Sequence, residues 1–449
     1  MTTKPLKVAV IGAGPAGIYA SDILVKKTEG NVHIDLIEQM PAPFGLIRYG
    51  VAPDHPRIKG IIKSLHRVLE SPSIRLLTNV SVGRDITVDQ LGAHYDAVIF
   101  ATGAVGDRSL DIPGAQLEGV FGAGEFVGFY DGNPRFQRSW DLHAQEVAVI
   151  GVGNVGLDVA RILSKTGDEL KVTEIPDNVY ESLSRNQACT VRVFGRRGPA
   201  QAKFTPLELK ELDHSPTINV EVSAEDIDYD EASFAARAES KSQDLVCQIL
   251  ENYALRESKP APHTLQIHFF EQPVEILEEN GKVAGLKTER TALSGDGQVR
   301  GTGQFSTWPV QAVYLAVGYR SDAVDGVPFN EGKHVINNDG GHVTELDGTI
   351  VPGLYATGWI KRGPIGLIGN TKSDAAETIS MLLKDHAAGN LHHSNDADVA
   401  DRLSNAGVEV LSWEGWKKLD AAERALGAAE GRERKKYVEW EHMVAHSLS

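Results

Sequence analysis

Lys7-Val8-Ala9-Val10-Ile11-Gly12-Ala13-Gly14-Pro15-Ala16-Gly17-Ile18-Tyr19-Ala20 reads as an apolar strand, a G-x-G-x-x-G turn and the opening of a helix. Each glycine has its own role. Gly12 permits the tight turn, Gly14 lets a pyrophosphate approach the backbone, and Gly17 lets helix and strand pack closely. The helix N-terminus then offers free N–H groups to phosphate. A second β-rich run, Val32–Ile37, ends at Glu38, 21 residues beyond Gly17. A carboxylate at that distance accepts hydrogen bonds from ribose hydroxyls. Alone, G-x-G-x-x-G is a weak signal; the strand, helix and acid around it make the full dinucleotide fingerprint.

The pattern recurs. Val147-Ala148-Val149-Ile150 leads into Gly151-Val152-Gly153-Asn154-Val155-Gly156 and then Leu157-Asp158-Val159-Ala160-Arg161. Here the next β-rich run, Thr190–Gly195, ends at Arg196-Arg197 instead of an acid. An acid repels a 2′-phosphate, whereas planar guanidinium forks pair with its oxygens. The first turn therefore reads as a site for a free 2′-hydroxyl, as in FAD, and the second as a site for NADP(H). Arg196 lies 40 residues past Gly156, beyond the usual spacing; the polar, Pro-interrupted stretch Thr166–Cys189 accounts for the excess as an excursion.

Three further strands end in the same manner: Ala97–Gly103, Val313–Gly318 and Leu354–Gly358. The last leads into Trp359-Ile360-Lys361-Arg362-Gly363-Pro364-Ile365-Gly366-Leu367-Ile368-Gly369, with a helix expected from Ser373 to Leu383. Its N-terminus is suited to stabilising negative charge on a reduced flavin ring. The order predicts an α/β protein with two Rossmann-like dinucleotide-binding domains, the NADP domain inserted into the FAD domain. Residues 1–105 and 331–449 form the FAD domain in this reading, and 106–330 the NADP domain.

Composition limits the alternatives. The chain has 449 residues, 41% hydrophobic and 24% charged, enough apolar material for a sizeable core. Its net charge of −16 argues against nucleic-acid binding, which needs a basic face. Two cysteines, Cys189 and Cys247, form neither a CxxC pair nor a Cys-rich metal site, so redox chemistry must come from a bound cofactor and no metal is expected. No run of 18 apolar residues and no secretory leader are evident, so a cytoplasmic protein without membrane insertion is expected. Nothing in the sequence demands more than a monomer.

The block Pro41-Ala42-Pro43-Phe44-Gly45-Leu46-Ile47-Arg48-Tyr49-Gly50-Val51-Ala52-Pro53-Asp54-His55-Pro56 resembles the signature of adrenodoxin reductase and its bacterial relatives, the NADPH–ferredoxin reductases. The likeness continues at Gly153-Asn154-Val155, Arg196-Arg197-Gly198-Pro199, Phe204–Leu209, Gly358–Gly369, Ser412-Trp413 and Gly431-Arg432. Gly156 departs from the family's usual alanine, a change between two small residues. The resemblance implies that NADPH gives a hydride to FAD and that single electrons then pass to a ferredoxin-type iron–sulfur protein, in either direction. A diaphorase with a quinone acceptor and an electron-transfer subunit of a larger complex are the other readings.

The same resemblance implies the contacts. FAD would meet Gly12, Gly14, Pro15, Ala16 and Gly17, with Glu38 and Gln39 at the ribose. Gly45, Leu46, Val82 and Ala101 follow, then Trp359 and the Gly366-Leu367-Ile368 turn. NADP(H) would meet Gly153, Asn154, Val155 and Gly156, with Arg108, Arg196, Arg197, Glu208 and Gly366. His55 and Glu211 look like the family's active-site polar groups, the catalytic candidates. His55 reads equally as a loop histidine bonded to backbone, and Glu211 as a solvated helix acid. Pro56–Glu70 is expected as one helix carrying Arg57, Lys59, Lys63 and Arg67, either a docking face for the acceptor or a plain solvated face. Glu221–Asp244 is expected as an exposed acidic loop and helix, and the tail from Asp401 as an extension packed on the FAD domain.

Overall fold

The structure is a computed structural model that describes residues 4–366 and 368–449, without the side chains of Arg57 and Ile368. The expected FAD contact Leu367 and the side chain of Ile368 lie outside the described residues. The chain forms two compact units. One comprises the residues up to Gly106, Asp131–Pro134 and Tyr319–Ser449; the other comprises Asp107–Tyr130 and Arg135–Gly318. The chain thus returns to the first unit at Tyr319, before the expected boundary at 330. It also touches that unit at Asp131–Pro134, a visit that no composition shift announces.

In the first unit, Leu6–Ile11 lies at the heart of a seven-stranded sheet. Val32–Glu38 and Ala97–Phe100 flank it in parallel, and Ile74–Thr78 and Ile350–Ala356 extend the parallel core on either side. His342–Thr344 and Asn338–Asp339 add an antiparallel edge. A parallel sheet is covered on both faces, which is why its strands read as continuous apolar runs. Val8 and Val10 pack on one side with Ile18, Leu24 and Ile379, while Ala9 and Ile11 pack on the other with Leu91, Tyr95 and Phe100. The helices Pro15–Lys27 and Ile368–Ala388 lie against one another. The second of these starts well before the expected Ser373, because residues after the Gly366 turn already lie in its first turn.

The second unit repeats the plan. Glu146–Ile150 runs between Ala312–Leu315 and Thr190–Phe194, and Val120–Gly122, His263–His268 and Ile218–Val222 complete six parallel strands. An antiparallel meander, Glu271–Glu279, Lys282–Leu293 and Val299–Trp308, carries Trp308 onto Phe194 with ring centroids 5.3 Å apart. The excursion Thr166–Cys189 contains two short helices, Gly167–Lys171 and Asp177–Leu183, the first started by a Thr166–Glu169 capping box.

Three expectations need correction. Pro56–Glu70 is not one helix but two, Pro56–Lys59 and Ile62–Leu69, because the chain breaks at Gly60. Lys59 is not a surface charge: its ammonium lies 3.1 Å from buried Asp131. Among the described side chains of that basic set, Lys63 and Arg67 are exposed. In the acidic segment, Asp226 is 3% exposed and pairs with Arg290 at 2.6 Å, since a buried carboxylate needs a partner. The tail does pack onto the first unit, through Trp413–Ala429 and Trp440–Leu448, with Trp416, Leu419 and Met443 in its core.

Candidate functional site

The two glycine turns show what each glycine is for. Gly12 has φ +107°, and a Cβ there would stand 2.5 Å from the Ala101 carbonyl oxygen; one on Gly17 would stand 2.0 Å from that of Gly12. The protein's own backbone demands both. Gly14 is different: the nearest atom to a Cβ placed on it is 3.9 Å away. Nothing in the protein excludes a side chain at Gly14, so the glycine leaves room for a group that is not protein. In the second unit the pattern is the same. Cβ atoms on Gly151 and Gly156 would lie 2.3 Å from the Ala316 oxygen and 2.4 Å from the Gly151 oxygen, while one on Gly153 meets nothing within 4 Å. Dinucleotides fit this donor set and this cradle.

Around the first turn, Gly14 caps Pro15–Lys27 and supplies no side-chain bond to the helix N-terminus. Ala16 is buried there, and a Cβ on Gly358 would stand 2.6 Å from its methyl group. Ala101 continues the neighbouring strand, its N–H donating to Ile11 O at 2.7 Å. Glu38 is 7% exposed and accepts from the Ala13 N–H (2.8 Å) and the Met40 N–H (2.9 Å). It therefore pins the turn from both of its carboxylate oxygens. Gln39 is exposed beside it, and Val82 is half-buried where the chain bridges to Ile86.

The signature loop closes over this turn. The Phe44 N–H donates to Ala13 O at 2.8 Å with Phe44 at φ +82°, a conformation costly for a bulky residue. Gly45 follows at φ +49°, where a Cβ would press on Gly14 Cα at 3.1 Å. Leu46, half-buried, starts the short helix Leu46–Tyr49. Trp359 stacks on Tyr319, centroids 6.0 Å apart, and Gly366 turns at φ +88°. Asp374 holds this stretch in place: it accepts from the Gly358 N–H and the Thr357 hydroxyl and lies 3.1 Å from Lys361. His55 is buried at the head of Pro56–Lys59, its N–H on Ala52 O and its carbonyl accepting from Ile58 and Lys59.

Around the second turn, Asn154 Oδ1 accepts the Thr205 N–H at 2.9 Å, which fixes the amide. Val155 is half-buried. Thr205 and Pro206 open the helix Pro206–Glu211, with Glu208 buried on it and Glu211 half-buried at its end. Arg108 is exposed, and its N–H donates to Gly318 O at 3.0 Å, beyond the end of the strand beside the turn. Arg196 and Arg197 follow Thr190–Phe194 with their backbones held: Thr291 Oγ1 donates to Arg196 O, and the Phe270 N–H donates to Arg197 O. Among the described residues neither guanidinium has an ion-pair partner, whereas Arg192 on the same strand is paired with Glu146. His55 thus belongs to the first unit and Glu211 to the second.

Sequence reasoning did not find Asp374 or Thr205. The Thr205-Pro206 pair was readable as a cap followed by a first-turn proline; Asp374 left no local signal.

A family model described as pyridine nucleotide-disulphide oxidoreductase matches residues 6–192. NADPH-ferredoxin reductase FprA of Mycobacterium tuberculosis is 38% identical over 453 residues, 96% of this chain and 97% of that protein. The mitochondrial NADPH:adrenodoxin oxidoreductase of Arabidopsis thaliana is 35% identical over 463 residues, 99% of this chain and 96% of that protein. This chain belongs to the adrenodoxin reductase family of NADPH–ferredoxin reductases. The solved structure of Mycobacterium tuberculosis FprA in complex with NADPH matches with a TM-score of 0.92 at 37% identity, covering 99% of this chain and all of that one. In this adrenodoxin reductase-like chain Cys189 and Cys247 are free, the first exposed and the second buried. Among the described residues no helix is long and apolar enough to cross a membrane, and no cluster of side chains is set up to hold a metal.

Proposed function

We propose that this chain is an FAD-dependent NADPH–ferredoxin reductase, taking a hydride from NADPH and delivering its electrons singly to a ferredoxin-type iron–sulfur protein. The observation that carries this reading is the paired turns. Each has a middle glycine that no described protein neighbour requires, and one is backed by an acid, the other by two arginines without an ion-pair partner among the described residues. Bound FAD supplies the conversion from a two-electron hydride to single-electron transfers.

The chain's own residues bind, orient and exclude water. Gly12–Gly17 and the first turn of Pro15–Lys27 receive the FAD pyrophosphate, with Ala101 beneath them. Glu38 and Gln39 would take the ribose, and Gly45, Leu46, Val82, Trp359 and Gly366 would supply further FAD contacts. Gly153–Gly156 and Arg108 would hold the NADP(H) pyrophosphate, Arg196 and Arg197 would clamp the 2′-phosphate, and Glu208 and Gly366 are further candidate NADP(H) contacts. His55 and Glu211 are the candidate active-site polar groups. No protein nucleophile is required. The names of the two relatives support a ferredoxin-type acceptor, and the NADPH complex supports the donor. We read the protein as a cytoplasmic monomer, in keeping with its free cysteines.

Anaerobic titration of the purified yellow protein with NADPH in the presence of a ferredoxin tests the reading. Two ferredoxins should be reduced for each NADPH consumed, about the limit set by the electron count. Bleaching of the flavin with the ferredoxin left oxidised would move the function to a diaphorase.

A further inference from the structure

The signature loop is held from the far end of the chain. Arg48 is 3% exposed, and its guanidinium grips both carboxylate oxygens of Glu423, one at 3.0 Å, across 375 residues of sequence. Glu423 is fully buried and accepts two more bonds, from Arg434 (2.7 Å) and the Tyr437 N–H (3.1 Å). Trp416, on the same tail helix, presents its ring edge-on to Phe44 at 5.5 Å and takes the Arg48 guanidinium over its face at 5.2 Å. Lys436, 3% exposed, donates to Arg48 O (2.7 Å) and Asp131 O (2.9 Å).

Burying these charges is a poor route to stability, since apolar side chains of similar volume do as well or better. What the arrangement provides is direction. Tail contacts from Trp416, Glu423 and Lys436 land on Phe44 and Arg48, and Phe44 is the strained residue whose N–H is bonded to Ala13 O, beside the open Gly14 position. A residue in a left-handed conformation persists only where its surroundings over-determine it.

We propose that Glu423 and Lys436 are positioning residues for FAD: through Arg48 they press the Phe44–Tyr49 segment onto the first glycine turn and so set how firmly the cofactor is retained. This rests on the assignment of FAD to that turn and adds a role for the tail.

The test uses the full chain as Glu423→Gln and Lys436→Met, with Arg424→Ala as a control on the outer face of the same tail helix. For each, the melting temperature is measured without FAD and with saturating FAD. The FAD dissociation constant comes from recovery of free flavin fluorescence, and the shape of the bound flavin absorbance band is recorded. The expected result is an FAD dissociation constant raised about tenfold or more in both variants, the loss of one charge-assisted hydrogen bond. The FAD-induced rise in melting temperature should shrink, the flavin band should shift toward that of free FAD, and Arg424→Ala should match the wild type. Variants whose cofactor-free melting temperature falls while FAD affinity stays within twofold of wild type would overturn the proposal, because the cluster would then serve the fold alone. A wild-type chain that takes up no FAD would instead remove the assignment on which it stands.

Discussion

Replacing Arg196 and Arg197 together by alanine lowers kcat/KM for NADPH by about 10²- to 10³-fold and leaves that for NADH within about threefold of wild type. Each guanidinium offers a charge-assisted bond to the 2′-phosphate, worth about 1.5–3 kcal/mol at best. Arg196 is exposed and Arg197 half-buried, so solvent screening trims the sum toward the lower end. The effect is selective because NADH has no 2′-phosphate for either side chain to meet. It is also clean: the backbone of the pair is held by Thr291 and Phe270, not by its side chains, and among the described residues neither guanidinium has an ion-pair partner. Single-turnover flavin bleaching by each dinucleotide reads it directly. Equal losses for NADPH and NADH would mean that the pair supports the fold and does not read the phosphate.

The middle glycines produce the second large effect, and they separate binding from folding. Gly14→Val should leave the melting temperature of the cofactor-free protein within a few degrees of wild type, since no protein atom comes within 3.9 Å of the new Cβ. Its FAD affinity should fall by about 10³-fold, so that it purifies colourless. Overpacking costs about 1–3 kcal/mol where neighbours can yield, and here neither the backbone turn nor a pyrophosphate can. Gly153→Val should purify yellow yet resist bleaching by NADPH. Gly12→Ala is the contrast: with φ +107° and the Ala101 oxygen 2.5 Å from the added carbon, it should lose stability before any cofactor is considered. If Gly14→Val binds FAD normally, the space beside that glycine is not where the pyrophosphate lies.

The parts of this molecule legible in its sequence were those built from contiguous residues. Both glycine turns, the acid after the second strand and the arginine pair in its place could be read because a strand, a turn and a helix follow one another within about thirty residues. The doubled sheets came with them. What could not be read depends on residues brought together by the chain's return. Lys59 looked like a surface charge because nothing near it in sequence reveals Asp131 beneath it. Asp226 looked solvated within an acidic run, although Arg290 reaches it from the meander. Arg48 stood out only as part of a signature, and its partner Glu423 looked like one more acid on a charged helix. That Glu38 pins the Ala13 and Met40 N–H groups was not legible in the sequence, which offered it only as a candidate ribose acceptor.

The central claim is that two dinucleotides of different phosphate chemistry bind one chain and pass electrons between them. Anaerobic stopped-flow mixing of the wild-type yellow protein with NADPH or with NADH, followed at the flavin absorbance, tests it most directly. Bleaching by NADPH at least about a hundredfold faster than by NADH at equal low concentration is the predicted result. Equal rates with the two dinucleotides, or a flavin that neither reduces, would contradict it.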